Sequence, residues 1–163
     1  MFLTAILLLN VGLPADVYAG GETETANEVT VYVSATGDNT AGDGTQSKPY
    51  ASISKAEAVL EENQAADTGK IVISGSVVFS ATTHTKMITI TGDGNTGTEL
   101  RLGEGGTVPT DICGPTTMEN IDLQPLNSTF NSGLLETGQH ELIFGEGVLV
   151  KRFNGNFRVG ADK

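Results

Sequence analysis

The chain is organised around residues 29–60, whose sequence is VTVYVSATGDNTAGDGTQSKPYASISKAEAVL. Val29, Val31 and Val33 alternate with polar or aromatic residues, and this period of two predicts a half-buried β-strand. Residues 37–47 are mostly glycine, aspartate, asparagine, threonine and serine, which stabilise tight turns by local hydrogen bonds and tolerate unusual backbone angles. We therefore expect a strand followed by a polar, turn-rich loop.

A short helix is predicted after this loop. Ser52 is a suitable N-cap, and Ser54 and Glu57 have the spacing of a capping box. The next apolar residues fall on one helical face, and they are Ile53, Ala56, Val59 and Leu60. We expect the helix to end at Asn63 or Gly69 and to cover the first strands with its apolar face.

The same stretch resembles the entry segment of secreted right-handed parallel β-helix proteins, a group that includes pectate-lyase-like enzymes and large bacterial surface proteins. The residues that carry the resemblance are Tyr32-Val33-Ser34, Gly37-Asp38-Asn39, Gly44-Thr45, Lys48-Pro49-Tyr50 and Ser52-Ile53. Ala41 departs from the pattern, because many members have proline there. The resemblance covers about thirty residues and implies a fold rather than an activity.

The rest of the chain repeats one short pattern, in which two apolar residues flank a third residue and a small or polar residue often follows. The pattern occurs at Ile71-Val72-Ile73, Ile88-Thr89-Ile90, Leu100-Arg101-Leu102, Ile121-Asp122-Leu123, Leu142-Ile143-Phe144 and Phe157-Arg158-Val159. The unequal spacing is typical of stacked coils of different length. With the resemblance, it predicts an all-β protein, a right-handed parallel β-helix (β-solenoid). The alternative is an antiparallel β-sandwich, since glycine-rich turns at this spacing suit it too.

We divide the chain into four parts on this basis. Residues 1–19 are almost wholly apolar before a Val-Tyr-Ala site, which predicts a signal peptide, although the usual basic start is missing. The alternative for this segment is a buried strand. Residues 20–28 are expected to be a linker, residues 29–69 the capping strand, loop and helix, and residues 70–163 the first coils. No device to close the last coil is seen, so we expect the fold to be incomplete at the C-terminus, with an exposed edge that associates.

The net charge and the apolar start of the chain limit the kinds of partner and the location that we expect. The formal net charge is −11, which argues against nucleic acid and against anionic membrane surfaces. The apolar start is too short for a comfortable membrane span, so we expect a secreted or cell-surface protein with no span in the mature chain. Cys113 is the single cysteine and is expected to be a small apolar core residue. His84 and His140 are isolated and are expected to lie in surface turns.

One loop contains several oxygen ligands close together. Asp38, Asn39 and Asp43 could contribute to a calcium site, since Ca²⁺ takes about six to eight oxygens. The alternative is an ordinary turn in which these side chains accept hydrogen bonds from nearby backbone amides. The turn at Asp93 is similar, with fewer candidate ligands.

The resemblance implies a scaffold, adhesion or glycan-binding role at the cell surface, with a polysaccharide or cell-surface glycan as partner. Residues 114–123, GPTTMENIDL, are similar to a coil of such surface proteins, with Asn120 at the turn into the strand. In such folds inward asparagine side chains bridge successive coils, and Asn120 is a hint of that device. The alternative is a pectate-lyase-like polysaccharide lyase or glycoside hydrolase with its active site in later coils. The basic residues that a lyase could use are Arg101, Lys151, Arg152 and Arg158. They do not converge with acids in the sequence, so we expect surface charges and assign no catalytic residue here.

Overall fold

The structure is a computed structural model, and it describes residues 26–103, 110–126, 133–153 and 157–160. The predicted signal peptide and residues 20–25 of the predicted linker lie outside the described residues. Residues 26–28 of that linker are described, and Glu28 already belongs to the first strand.

The described residues form twelve short strands and one helix. The helix, α1, spans Ile53–Glu62. The strands are β1 (Glu28–Ser34), β2 (Thr68–Ser74), β3 (Ser76–Val78), β4 (Ile88–Gly92), β5 (Glu99–Leu102), β6 (Thr110–Asp111), β7 (Thr116–Glu119), β8 (Asp122–Pro125), β9 (Gly133–Glu136), β10 (Leu142–Phe144), β11 (Leu149–Val150) and β12 (Phe157–Gly160).

These strands assemble into three small sheets. The first sheet has the order β1-β2-β4-β7-β10, the second β11-β8-β5-β3, and the third β12-β9-β6. Strands that follow one another in the chain belong to different sheets from β4 onward, so the chain passes from the first sheet to the second and then the third three times. Every strand pair among the described residues is parallel, which also contradicts the antiparallel sandwich.

The predicted right-handed parallel β-helix is wrong as a fold class. The described residues show mostly parallel strands in three small sheets with one helix; they show no solenoid, and no sheet closes. The physical reason for the error is that the repeated pattern reports only which side chains of a short strand face the core. It does not specify how the sheets that contain those strands are arranged.

The core consists of apolar rows that run across the sheets. In the first sheet, Val31, Ile71, Ile90 and Met118 are in register and buried. In the second sheet, a row of buried side chains is formed by Val77, Leu100 and Leu123. Each such side chain stabilises the fold by about 1.5–3 kcal/mol when it is removed from water.

The helix begins where the sequence predicts. Ser52 is the N-cap and its side chain accepts a hydrogen bond from the Lys55 amide, while Asn63 is the C-cap. The helix packs against β1 and β2. Leu60 is fully buried over Gly69, where an added Cβ would lie 2.7 Å from a Leu60 methyl group. The prediction of a helix that covers the first strands is confirmed.

With respect to membranes, the described part of the chain has no helix long and apolar enough to cross a bilayer.

Candidate functional site

The turns that lead from the first sheet into the second lie side by side at one corner of the molecule. They comprise residues 93–98, 120–121 and 145–148. The Asn120 amide donates a 2.8 Å hydrogen bond to the Glu146 carbonyl, which joins two of the turns. Gly92 approaches the Asn120 carbonyl so closely that a Cβ would collide with it. The three turns are therefore held in contact by a backbone hydrogen bond and by a glycine that lacks a side chain.

The first of these turns is shaped by Asp93. One carboxylate oxygen accepts hydrogen bonds from the Asn95 amide and the Thr98 hydroxyl, and the other accepts one from the Asn95 side chain. Partial burial by itself raises the pKa of Asp93, but the hydrogen bonds from Thr98 and Asn95 outweigh it and the pKa is lowered. Both carboxylate oxygens of Asp93 are therefore engaged in hydrogen bonds that fix the turn.

An open polar groove of about 390 Å³ lies at this corner, and we call it the turn groove. Residues from all three turns line it together with β8 and Lys151. The side chains that offer polar groups to it are Asn95, Thr96, Thr98, Asn120, Asp122 and Lys151. None of the described residues that line it is aromatic, so binding there would depend mainly on hydrogen bonds and charge.

Two features give the turn groove specific chemistry. Lys151 Nζ lies 2.7 Å from Asp122 Oδ2, and this ion pair is partly exposed. Asn120 adopts a φ of 48°, and its exposed side-chain amide has no hydrogen-bond partner among the described residues. A carboxylate accepts hydrogen bonds, an ammonium donates them and an amide does both, so the groove can match a pair of hydroxyl groups.

The structure places Asn120 at the turn into β8, as the sequence interpretation has it, but the side chain does not point inward as in an asparagine stack. The residue is exposed and turns the chain between β7 and β8. Its left-handed backbone angle is one that asparagine tolerates better than most residues.

The predicted calcium loop is compact and its ligands have protein partners. Asp38 Oδ1 accepts the Thr40 and Ala41 amides, and Asp43 Oδ1 accepts the amide and hydroxyl of Thr45. These hydrogen bonds lower the pKa of both carboxyl groups, with the Ala41 amide the largest cause for Asp38 and the Thr45 hydroxyl for Asp43.

Asn39 faces the helix rather than the two aspartates. Its side-chain oxygen accepts the Ala51 amide and its nitrogen donates to the Ser52 hydroxyl. Among the described residues, no group of three or more His, Cys, Asp or Glu side chains is arranged to hold a metal ion. Calcium binding at Asp38, Asn39 and Asp43 stays a prediction.

A buried acid–base pair was missed by the sequence analysis. Glu57 does not complete a capping box: its side chain turns into the core, where Oε2 accepts the Thr82 amide. His84 is 2% exposed rather than a surface turn residue. Glu57 Oε1 and His84 Nε2 lie 3.8 Å apart, and neither atom has a hydrogen-bond partner within the described parts of the chain.

The protonation of this pair follows from its partners. His84 Nδ1 lies 2.9 Å from the Lys86 carbonyl, so Nδ1 carries the proton and Nε2 has a free lone pair. Burial raises the pKa of Glu57 to about 8, against the opposing effect of the Thr82 amide. Burial also lowers the pKa of His84. Both side chains are therefore uncharged near neutral pH, and their burial makes them structural rather than accessible to a substrate.

The remaining candidates are dispersed. Arg101 forms an ion pair with Glu99 at 2.7 Å, and Arg152 and Arg158 are exposed, so the four basic residues do not converge on one site. Cys113 is only half-buried, and His140 is exposed as predicted.

In comparisons with known proteins, no family model, no curated protein and no solved structure matches this chain.

Proposed function

We propose that this is an extracellular scaffold or adhesion protein that binds a neutral glycan in the turn groove. The observation that carries the proposal is the polar corner where the Asn120 amide stands beside the Asp122–Lys151 pair. The apolar start of the sequence, followed by a small-residue site, supports export.

The chemistry of the groove favours sugar hydroxyls over other ligands. Its lining offers amide, hydroxyl, carboxylate and ammonium groups on rigid turns, and such groups fix orientation through hydrogen bonds. None of the described lining residues is aromatic, which disfavours flat apolar ligands that stack against a ring.

Electrostatics favours a neutral sugar over an acidic one. The chain has a formal net charge of −11, and the one lysine of the groove is already neutralised by Asp122. A uronic acid would have to displace that carboxylate and would be repelled by the field of the whole protein.

The test is binding of neutral and acidic oligosaccharides by calorimetry. We expect a neutral hexasaccharide from a glucan, galactan or mannan series to bind, with oligogalacturonate at least about tenfold weaker. Asn120→Gly removes the amide and keeps the backbone angle, and Asp122→Asn removes the carboxylate. Each substitution should weaken binding about tenfold or more, since a lost hydrogen bond to a charged or polar group costs about 1–3 kcal/mol.

Lys151→Met tests the lysine of the groove, and Lys48→Met is its matched control. Both lysines are exposed, but Lys48 lies in the loop before α1, away from the groove residues. Lys48→Met should bind as the unmodified protein does. Equal loss from both variants, or no binding across the neutral series, would contradict the proposal. An increase in ultraviolet absorbance when oligogalacturonate is added would reveal unsaturated products and favour a lyase instead.

A further inference from the structure

A segment without regular structure lies against helix α1, between β3 and β4. Residues 80–86, SATTHTK, belong to no strand or helix, and we call them the strap. The residues on either side are anchored to the sheets: the Phe79 amide donates to the Arg101 carbonyl, and the Gly69 amide donates to the Met87 carbonyl. The strap is therefore a short span of chain fixed at both ends.

Side chains hold the strap to the helix. Glu57 Oε2 accepts the Thr82 amide at 2.6 Å. Glu61 accepts the Thr85 amide at 3.0 Å and the Thr85 hydroxyl at 2.7 Å. In the other direction, Lys86 Nζ donates to two carbonyls at the end of α1. Contacts of this kind can be released without breaking the hydrogen bonds of any sheet.

One residue of the strap is buried beneath it. His84 is 2% exposed, its amide donates to the Cys113 carbonyl, and its ring packs so closely on Gly114 that an added Cβ would collide with it. Because Nδ1 donates to the Lys86 carbonyl, Nε2 has a free lone pair, and this atom lies 3.8 Å from Glu57 Oε1. Both atoms lack another partner in the described parts of the chain.

This arrangement is favourable only while Glu57 keeps its proton. A proton on Oε1 can point toward the Nε2 lone pair of His84, and a small approach of the two atoms makes a hydrogen bond. Without the proton, a charged oxygen would stand beside a lone pair where water is excluded, which costs free energy. Water can solvate the carboxylate once the strap is open, so opening removes this cost.

We propose that the strap is a proton-linked lid, which opens with release of one proton from Glu57 to water and closes when Glu57 takes that proton back. Opening also changes the surface next to the helix. Thr83 of the strap lines a cleft of about 180 Å³ together with Cys113 and His140, and this cleft loses one of its walls when the strap moves away.

The other ionisable groups on α1 and the strap do not supply this coupling. Hydrogen bonds lower the pKa of Glu61, the largest cause being the Thr85 hydroxyl, so Glu61 is ionised throughout the neutral range. Lys86 Nζ is directed to the helix carbonyls and not to Glu57. These two residues hold the strap without a change of charge near neutral pH.

Three further groups approach from β6 and from the turns after β6 and β9, and they are Asp111, Cys113 and His140. Burial raises the pKa of the Cys113 thiol, with smaller contributions from Glu57 and Asp111, so the thiol is uncharged in the neutral range. Burial lowers the pKa of His84, and His140 acts in the same direction. Glu57 is therefore the group that loses a proton when the strap opens.

The test is native-state hydrogen exchange of the full chain, measured by NMR and corrected for the intrinsic rate at each pH. The pKa of Glu57 is raised from 4.5 to about 8 and that of His84 is lowered from 6.5, so opening releases one proton between pH 6.5 and 8. The protection of the Thr82 and His84 amides should fall at least about tenfold over this range. Their exchange should depend little on urea, whereas amides of β2 and β4 should exchange through urea-dependent unfolding.

Glu57→Gln keeps an acceptor for the Thr82 amide and removes the proton, so the fall in protection should disappear. Glu61→Gln is the matched control on the same helix, and Cys113→Ala tests the thiol; both should keep the fall. If Glu57→Gln does not fold, the carboxyl ¹³C shift of Glu57 in the unmodified protein measures its titration directly.

Three results would overturn the proposal. The first is protection of the strap amides that does not change with pH, or that falls equally in Glu57→Gln. The second is urea-dependent exchange of the strap together with β4, because the strap would then open only when the whole fold does. The third is titration of the Glu57 carboxyl at its ordinary pKa of 4.5.

Discussion

The two ends of the first sheet are built from similar strands but finished in opposite ways. At the β1 end, the loop of residues 37–50 hydrogen-bonds to the outer strand and α1 covers the core, where Ile53, Ala56 and Leu60 are fully buried. At the opposite side, β10 and β11 are the outer strands of the first and second sheets, and we call these two strands the open face. Phe144 on β10 is 40% exposed there, although Met118 beside it is fully buried. The same alternation of apolar residues thus forms buried core at the β1 end and partly exposed surface at the open face. The difference is that the loop and α1 cover the strands at the β1 end.

Closing the β1 end requires particular small residues. Gly37 and Gly42 lie against the backbone of residues 49–50, where any added Cβ would collide with a carbonyl oxygen. The open face has no comparable segment among the described residues. An edge strand left unpaired offers hydrogen-bonding groups to another chain, so the loop that covers β1 also protects that edge.

The largest expected effect comes from placing a charge in each end. Leu60→Asp should lower the free energy of unfolding by at least about 4 kcal/mol, because it removes a buried leucine and buries a carboxylate without a partner. Leu149→Asp, at a leucine that is 51% exposed on the open face, should change it by less than about 0.5 kcal/mol in the monomer. Urea unfolding at low protein concentration measures both.

Similar losses at the two leucines would show that the open face is as well packed as the helix, and the contrast between the ends would fail. An unchanged midpoint for Leu60→Asp would show that α1 does not stabilise the core.

The buried Glu57–His84 pair predicts that the stability of the fold depends on pH, through a residue of the helix that covers the β1 end. The pKa of Glu57 is raised from 4.5 to about 8, so the folded protein keeps a proton that the unfolded chain releases. The stabilising contribution is fully present below pH 4.5 and is lost as the pH rises toward 8, with a slope of up to about 1.4 kcal/mol per pH unit. The pKa of His84 is lowered, so its effect is opposite: stability is lost as the pH falls below 6.5.

Glu57→Gln keeps an acceptor for the Thr82 amide and removes the titration, so this variant should be more stable than the unmodified protein at pH 8 and similar at pH 4. Glu61→Gln is the matched control on the same helix. Hydrogen bonds from the Thr85 hydroxyl and amide lower the pKa of Glu61, so this substitution should leave the alkaline loss in place. Thermal melts between pH 4 and 9 measure the stability of each variant. A loss of stability at alkaline pH that persists in Glu57→Gln would show that it does not originate at Glu57.

The sequence predicted local features better than distant contacts. The strand at residues 29–34 and the start of α1 at Ser52 follow from alternation and capping, which depend on neighbours in the chain. The contact of Glu57 with Thr82 joins residues 25 apart, and the burial of His84 depends on how β strands and helix pack. No local pattern reports such contacts, and for the same reason the repeat of apolar residues led to the wrong arrangement of sheets.

The polar groove was equally inaccessible from sequence. Asn120 and Asp122 are neighbours in the chain, but Lys151 lies 29 residues after Asp122 and meets it because β11 pairs with β8. The lyase interpretation considered Lys151 only as an isolated base, whereas its neighbour in space, Asp122, neutralises it.

The smallest effect we predict concerns the junction between the loop and the helix at the closed end. The Ser52 hydroxyl caps α1 by accepting the Lys55 amide at 3.3 Å and also accepts a 2.9 Å hydrogen bond from the Asn39 side chain. Ser52→Ala should cost about 1 kcal/mol, the usual loss for an N-cap. Asn39→Ala should cost a similar amount, because the Ala51 amide loses its acceptor.

Because the two side chains share a hydrogen bond, the double variant should lose about 0.5 kcal/mol less than the sum of the single losses. The matched control is the double variant of Ser52→Ala and Asn95→Ala. Asn95 bonds to Asp93 and not to Ser52, so the two stability losses should be additive. Urea unfolding of the three single variants, the two double variants and the unmodified protein measures the coupling. Strict additivity of Ser52→Ala and Asn39→Ala would mean that the loop and the helix cover the β1 end independently, rather than as one unit held together at Ser52.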